Sequence, residues 1–182
     1  MKKEFNDLIY KYFKTNFYKN KQYEENASKL ALQFFNIDVE QTKLYKIGNL
    51  QDETNYKKMN YDIELYNIDG LIKIEVKTDH KSTTTGNFFI EFKQYELPSG
   101  IAITESDFYI INDGTNYYLI ETYKIKQIIK HLEDIGSIKK IKHFLYIDGE
   151  LIKDSKNKPY ITEGFIIPKK ILIDESTLLN NN

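Results

Sequence analysis

The chain has no cysteine, no tryptophan and no arginine, only three prolines and three histidines, and no apolar run near the roughly 18 residues of a membrane-spanning helix. Without cysteine there are no disulfides, no thiolate nucleophile and no sulfur-built zinc site. The histidines at positions 80, 131 and 143 have neither HxxxH nor HExxH spacing, which disfavours an imidazole-built zinc site, so any metal must be held by oxygen. All 26 basic residues are lysines, and they nearly balance 27 acidic ones to leave a formal charge of −1. A broadly basic coat is therefore absent, and any contact with nucleic acid must come from a local cluster of lysines. The opening MKKEFNDLIYKYF places charged and aromatic polar residues where a secretory signal needs an apolar core, so a soluble intracellular protein is expected.

What is present suits one folded domain. With 182 residues, 41% of them apolar, the chain can bury a single sizeable core, and we expect one domain over 1–182 whose centre runs from about 20 to 135, with an N-terminal helix and a C-terminal extension. Apolar residues at helical spacing predict helices over 2–13 and over 23–35, the second burying Ala27, Leu30, Ala31, Phe34 and Phe35. IDVEQTKLYKI reads as a strand, GNLQDETNYKKMN and HKSTTTG as loops, and NFFIEF, FYIIND and YYLIET as strands. YKIKQIIKHLED is an amphipathic helix with Ile125, Ile128, Ile129 and Leu132 inward; a hairpin follows at Asp148-Gly149, and ESTLLNNN looks frayed. Helices first, then strands joined by short turns, then a helix, make an α+β or mixed-sheet domain.

One hairpin carries an unusual load of charge. In YDIELYNIDGLIKIEVKTD, residues 61–79, a two-residue turn at Asp69-Gly70 sets Glu64 opposite Glu75 and Asp62 opposite Lys77. Alternation then sends Asp62, Glu64, Lys73, Glu75 and Lys77 to one face, while Ile63, Leu65, Ile74 and Val76 form the core face. Opposed carboxylates such as Glu64 and Glu75 repel unless a cation or lysine relieves them. Asp62 and Glu75 are suited to a Mg²⁺ ion, which takes a few carboxylate oxygens and keeps several waters. Lys77 is placed to orient a water or to stabilise charge on a phosphate.

With these residues in place, the sequence resembles the PD-(D/E)XK nuclease superfamily: Asp62 matches the acidic residue of its first motif and Glu75-Val76-Lys77 its (D/E)XK element, although Tyr61 stands where proline is usual. TGNFFIEF followed by PSGIAITESDFYII is similar to phage-encoded members related to Holliday-junction resolvases, and the likeness covers about residues 60–112. The resemblance implies a restriction-endonuclease-like fold, a mixed central β-sheet flanked by helices. It also implies a Mg²⁺-dependent endonuclease, with Mn²⁺ as substitute, hydrolysing phosphodiester bonds in DNA, branched DNA included. Asp62, Glu75 and Lys77 would be catalytic, Asp62 and Glu75 would hold the metal, Glu91 would support them, and so would an acidic residue of the first core helix, Glu24 or Glu25.

Glu91 reaches the charged face if its strand joins the hairpin; otherwise it is a solvent-facing strand residue. Lys81, with the loop hydroxyls including Thr85, and Asn87 at the head of the next strand are candidate contacts to a nucleic-acid backbone. Lys139, Lys140, Lys142, His143, Lys169 and Lys170 are more distant candidates, and Ser99, Thr104 and Asp107 read as turn and cap residues. A homodimer suits an enzyme that makes paired cuts. The main rival is a DNA-binding or virion-associated module that keeps the fold without chemistry; a second is an interaction protein whose hairpin charges are merely solvated.

Overall fold

In the computed structural model, the described residues are 22–37, 61–147, 150–153 and 157–179. The helix expected over 2–13, the strand IDVEQTKLYKI beyond Ile37 and the loop that follows it lie outside them. The chain is an α+β protein with two main sheets, a two-stranded ribbon and four α-helices among the described residues.

Helix α1, residues 22–34, turns Ala27, Leu30 and Ala31 inward at helical spacing. Phe34, expected inside, is 48% exposed; the helix ends there and Asn36 takes a positive φ of 52°, so Phe35 is the ring that packs, edge-on against Phe108. After α1 come β1 (Ile63–Asn67), β2 (Gly70–Thr78), the one-turn helix α2 (Ser82–Thr85), β3 (Asn87–Gln94), β4 (Leu97–Pro98), a 3₁₀ turn (Gly100–Ala102), β5 (Phe108–Asn112) and β6 (Tyr117–Glu121). Then follow α3 (Thr122–Asp134), β7 (Lys139–Phe144), β8 (Tyr146–Ile147), β9 (Glu150–Leu151), β10 (Ile161–Pro168), α4 (Lys169–Asp174) and β11 (Thr177–Leu179). The first sheet has the order β1-β2-β5-β6-β11, with β2 and β5 parallel and the other pairs antiparallel. The second, β4-β3-β10-β7, is antiparallel throughout.

Beyond residue 135 the chain is woven in rather than appended: β10 is an inner strand of the second sheet, and β11 closes an edge of the first. The segment ESTLLNNN therefore contains an ordered strand, with Leu179 buried, because an apolar pair at 178–179 finds β6 to lie against. The loop HKSTTTG tightens into α2, closed by backbone bonds from Thr85 to Lys81 and from Gly86 to Ser82.

The first sheet is buried on both sides at its centre, which is why FYIIN of β5 is almost continuously apolar. On one side Ile63, Leu65, Ile74, Val76, Ile110 and Leu119 pack under α1. On the other, Tyr109, Ile111, Tyr118 and Ile120 meet Ile125, Ile129 and Leu132 of α3 and Phe88, Ile90, Phe165 and Ile167 of the second sheet. Ile128 is only partly buried against this cluster. In the second sheet the ring of Phe89 lies across β10, where a β-carbon on Gly164 would come within 2.3 Å of it, so any larger residue there requires the ring to move.

Asp79 couples the sheets. Directly after β2, it accepts hydrogen bonds from the backbone N–H of Phe89 in β3 (2.9 Å) and of Lys81 (3.1 Å), while its own N–H donates to Asn112 of β5 (2.8 Å).

Candidate active site

The β1–β2 hairpin turns at Ile68-Asp69, not at Asp69-Gly70. A type I′ turn at the expected place needs positive φ at both residues, and of the two only Gly70 has it. The register therefore differs by two: Glu64 lies opposite Lys73, and the pairing runs on to Ile63 opposite Ile74. A shift of two keeps every side chain on its expected face but changes its partners. Glu64 and Glu75 are thus not opposed, and Asp62, just before β1, bonds through its N–H to the Ile74 carbonyl and does not lie opposite Lys77.

The shared face does not lie in open solvent. It continues the side of the sheet that carries Tyr109 and Ile111, at the margin where the apolar cover ends, and both Glu64 and Glu75 are buried. Glu64 is held by two phenols, Tyr61 through a short hydrogen bond and Tyr66 at 2.9 Å. Tyr61, where the resembling family has proline, thus serves as a donor to Glu64; that bond, with burial, pushes its own pKa up to about 12. Glu64 has an anchoring part that sequence reasoning left open.

Asp62, Glu75 and Lys77 are brought together. The Asp62 N–H continues the ladder to Ile74 (2.9 Å), and its Oδ2 accepts a hydrogen bond from the backbone N–H of Val76 at 2.7 Å. Its carboxylate is thereby fixed at the middle residue of Glu75-Val76-Lys77. Lys77 Nζ lies 2.6 Å from Glu75 Oε1. Burial raises the Glu75 carboxyl to about 7; Lys77 opposes the rise, and repulsion from Asp62 and Glu91 adds to it. Burial works against the Lys77 ammonium, but Glu75 and Asp62 outweigh it and hold its pKa above the ordinary range.

Of the two acidic residues offered by α1, Glu24 belongs to this cluster. Its carboxyl is raised to about 7, first by burial and then by Asp62, with Lys77 opposing and Glu75 and Glu25 adding repulsion. Glu25 is exposed one position along the helix, and the phase that selects Glu24 is set by burial of Ala27, Leu30 and Ala31.

Glu91 arrives from the second sheet, since β3 does not join the hairpin. It is near enough to repel Glu75, and Ser99 donates a short hydrogen bond to its Oε1. Behind it, Gly100 with φ +50° packs so closely that a β-carbon would fall 2.4 Å from the Glu91 carbonyl oxygen. Ser99 therefore serves Glu91, with no side-chain cap on the 3₁₀ turn, whereas Thr104 accepts the Ser106 N–H (3.2 Å) and Asp107 accepts the Lys73 N–H (2.8 Å).

The proposed substrate contacts fall in two groups. Thr85 and Asn87 bond each other, the Asn87 side chain donating to the Thr85 carbonyl at 2.6 Å, and so fasten α2 to β3. Exposed Lys81 has its Nζ 3.4 Å from His143 Nε2 on the edge strand β7. Lys140 is paired with Glu133 (2.8 Å) and Lys142 lies 3.5 Å from Glu163. Lys170 pairs with Asp174. Lys169 leaves the set of surface cations: its ammonium is 2.5 Å from buried Asp113 and sits over the rings of Phe88 and Tyr118.

The donors fit a hard cation by chemistry. They are all oxygen, and burial together with nearby carboxylates, Asp62 above all, raises the pKa of two of them, Glu24 and Glu75, to about 7, a strain that a dication would relieve. Among the described residues, no three carboxylates or imidazoles are gathered closely enough to cage a metal by themselves, so the fit rests on donor type and charge. Among the same residues, no helix is long and apolar enough to cross a membrane. Tyr109, whose buried ring stands beside Glu75, was missed by sequence reasoning because its strand reads as plain core. No protein-family model, no curated protein and no solved structure matches this chain.

Proposed function

We propose that this protein is a divalent-metal-dependent endonuclease acting on DNA, with a restriction-endonuclease-like core. The carrying observation is the fixed triangle at the hairpin: the Asp62 carboxylate bonded to the N–H of Val76, flanked by Glu75 and Lys77, with those two side chains 2.6 Å apart at the margin of a core. Asp62 and Glu75 would hold Mg²⁺ or Mn²⁺, supported by Glu24 and by Glu91. Such an ion, when bound, neutralises charge on a scissile phosphate and makes its water a better nucleophile. Lys77 supplies a cation to the phosphate and orients the attacking water. Lys81 and His143 position the nucleic-acid backbone without reading its bases.

The test is cleavage of branched, single-stranded and duplex DNA with Mg²⁺ or Mn²⁺ by the wild type, Glu75→Ala and Lys77→Ala. Activity in the wild type, lost in both variants, is expected; equal activity in all three overturns the assignment. A second reading, a DNA-binding module that does no chemistry, draws support from the Lys77–Glu75 contact, which engages both groups with each other. Retention of DNA without cleavage at any divalent ion would decide for it.

A further inference from the structure

Tyr109 lies on β5 directly beside Glu75 in the parallel β2–β5 register, on the same face, and is 1% exposed. Its hydroxyl is the one buried side-chain polar atom among the described residues that makes no hydrogen bond. The nearest candidate is the Thr104 hydroxyl, whose hydrogen bonding to the phenol opposes the rise in pKa that burial and Glu75 produce but falls outside ordinary hydrogen-bond geometry. The Thr104 hydroxyl is also engaged with Ser106, donating to its Oγ at 2.9 Å and accepting its N–H at 3.2 Å. A buried hydroxyl without a partner is unfavourable, and phenylalanine would fill the same space without that penalty. The group therefore has its use in an arrangement other than the resting one.

Its neighbours indicate which. Glu75 and Lys77 are both close enough for the phenol to feel, and at rest Glu75 takes its charged hydrogen bond from Lys77 at 2.6 Å. A phosphate drawing Lys77 away would leave Glu75 buried and without a donor. We propose that Tyr109 is a positioning residue whose hydroxyl donates to the Glu75 carboxylate when Lys77 turns to the substrate phosphate, holding Glu75 in the orientation that ligates the cation. The phenol stays protonated throughout, since burial and the adjacent carboxylate both disfavour its ionised form. This inference rests on the nuclease reading.

The test is Tyr109→Phe beside the wild type, measured in three ways: thermal unfolding without metal, Mn²⁺ affinity by calorimetry, and steady-state cleavage of the best DNA substrate. The expected result is an equal or higher Tm, with Mn²⁺ affinity and kcat each lower by about 10- to 100-fold, as for loss of a group that orients a ligand, and KM nearly unchanged. Unchanged kcat and affinity would overturn the proposal. So would a lower Tm with activity reduced only in proportion to the folded fraction, because the hydroxyl would then have a structural partner. A wild type that neither binds Mn²⁺ nor cleaves any of the three DNA forms overturns the nuclease reading itself, and this inference with it.

Discussion

Replacing Glu75 by glutamine should stabilise this protein at alkaline pH and, on the nuclease reading proposed above, abolish cleavage. The Glu75 carboxyl is raised from 4.5 to about 7 because it is buried and faces Asp62 and Glu91. A carboxyl whose folded pKa is raised favours the folded state below its unfolded pKa, and that contribution is lost as pH climbs through the folded value. At about 1.4 kcal/mol per pH unit, the rise from 4.5 to about 7 makes the ionised form cost at most about 3.5 kcal/mol above pH 7. Glutamine has the same shape and no charge, so it escapes this penalty but gives up the contact with Lys77. That loss is moderate because Lys77 is 39% exposed and keeps Asp62 nearby. The net gain should be about 1–2 kcal/mol at pH 8.5 and near zero at pH 4. For a chain of this length that corresponds to roughly 2–8 °C in Tm. Urea unfolding of both proteins across pH 4–9 is the assay; the difference between them should grow between about pH 4.5 and 7 and then level off. A variant less stable than wild type at pH 8.5 but equal to it at pH 4 would refute the reasoning, since the ion pair would then outweigh burial.

Two further outcomes follow from the packing. Although burial alone would raise it, the pKa of Asp113 is held at about 2 by Lys169 and by the N–H groups of Asn116 and Thr115; Lys169→Met should therefore cost about 3–5 kcal/mol at neutral pH by stranding a buried charge. Because the folded pKa is lowered, this stabilisation is present above 3.8 and lost as pH falls through about 2, so urea midpoints of variant and wild type should converge on acidification. Gly100→Ala places a β-carbon 2.4 Å from the Glu91 carbonyl at φ +50°; a loss of about 1–3 kcal/mol, together with weaker Mn²⁺ binding, is expected by thermal unfolding and calorimetry.

Periodicity made some features readable and left others hidden. Helix α3 follows from Ile125, Ile129 and Leu132 at helical spacing, and β5 and β6 follow from apolar runs on either side of Asp113-Gly114. The charged face of the hairpin was also legible, because parity survives a shift of two residues. Its pairing was not, because the turn depends on which residue takes positive φ. Tyr109 was hidden for another reason: its place beside Glu75 comes from a parallel pairing between strands separated by α2, β3, β4 and the 3₁₀ turn. The division into two sheets, which brings Glu91 from a different layer, has no local signature in NFFIEF. Glu24 was distinguishable from Glu25 only once the buried stripe of α1 had a definite sheet to lie on.

The bond from Asp79 to β3 also has a consequence for how this protein can change over time. The residues on the hairpin and those on β3 belong to separate sheets, and Asp79 fastens them only two positions beyond Lys77. Drift in the outer strands of the second sheet can therefore reshape the surface offered to a partner while the spacing between Glu75 and Glu91 is preserved. A change at Asp79 itself would do the reverse, keeping Asp62, Glu75, Lys77 and Glu91 but altering the gap between the two sheets that carry them, and so would tune the proposed site without replacing any of these residues.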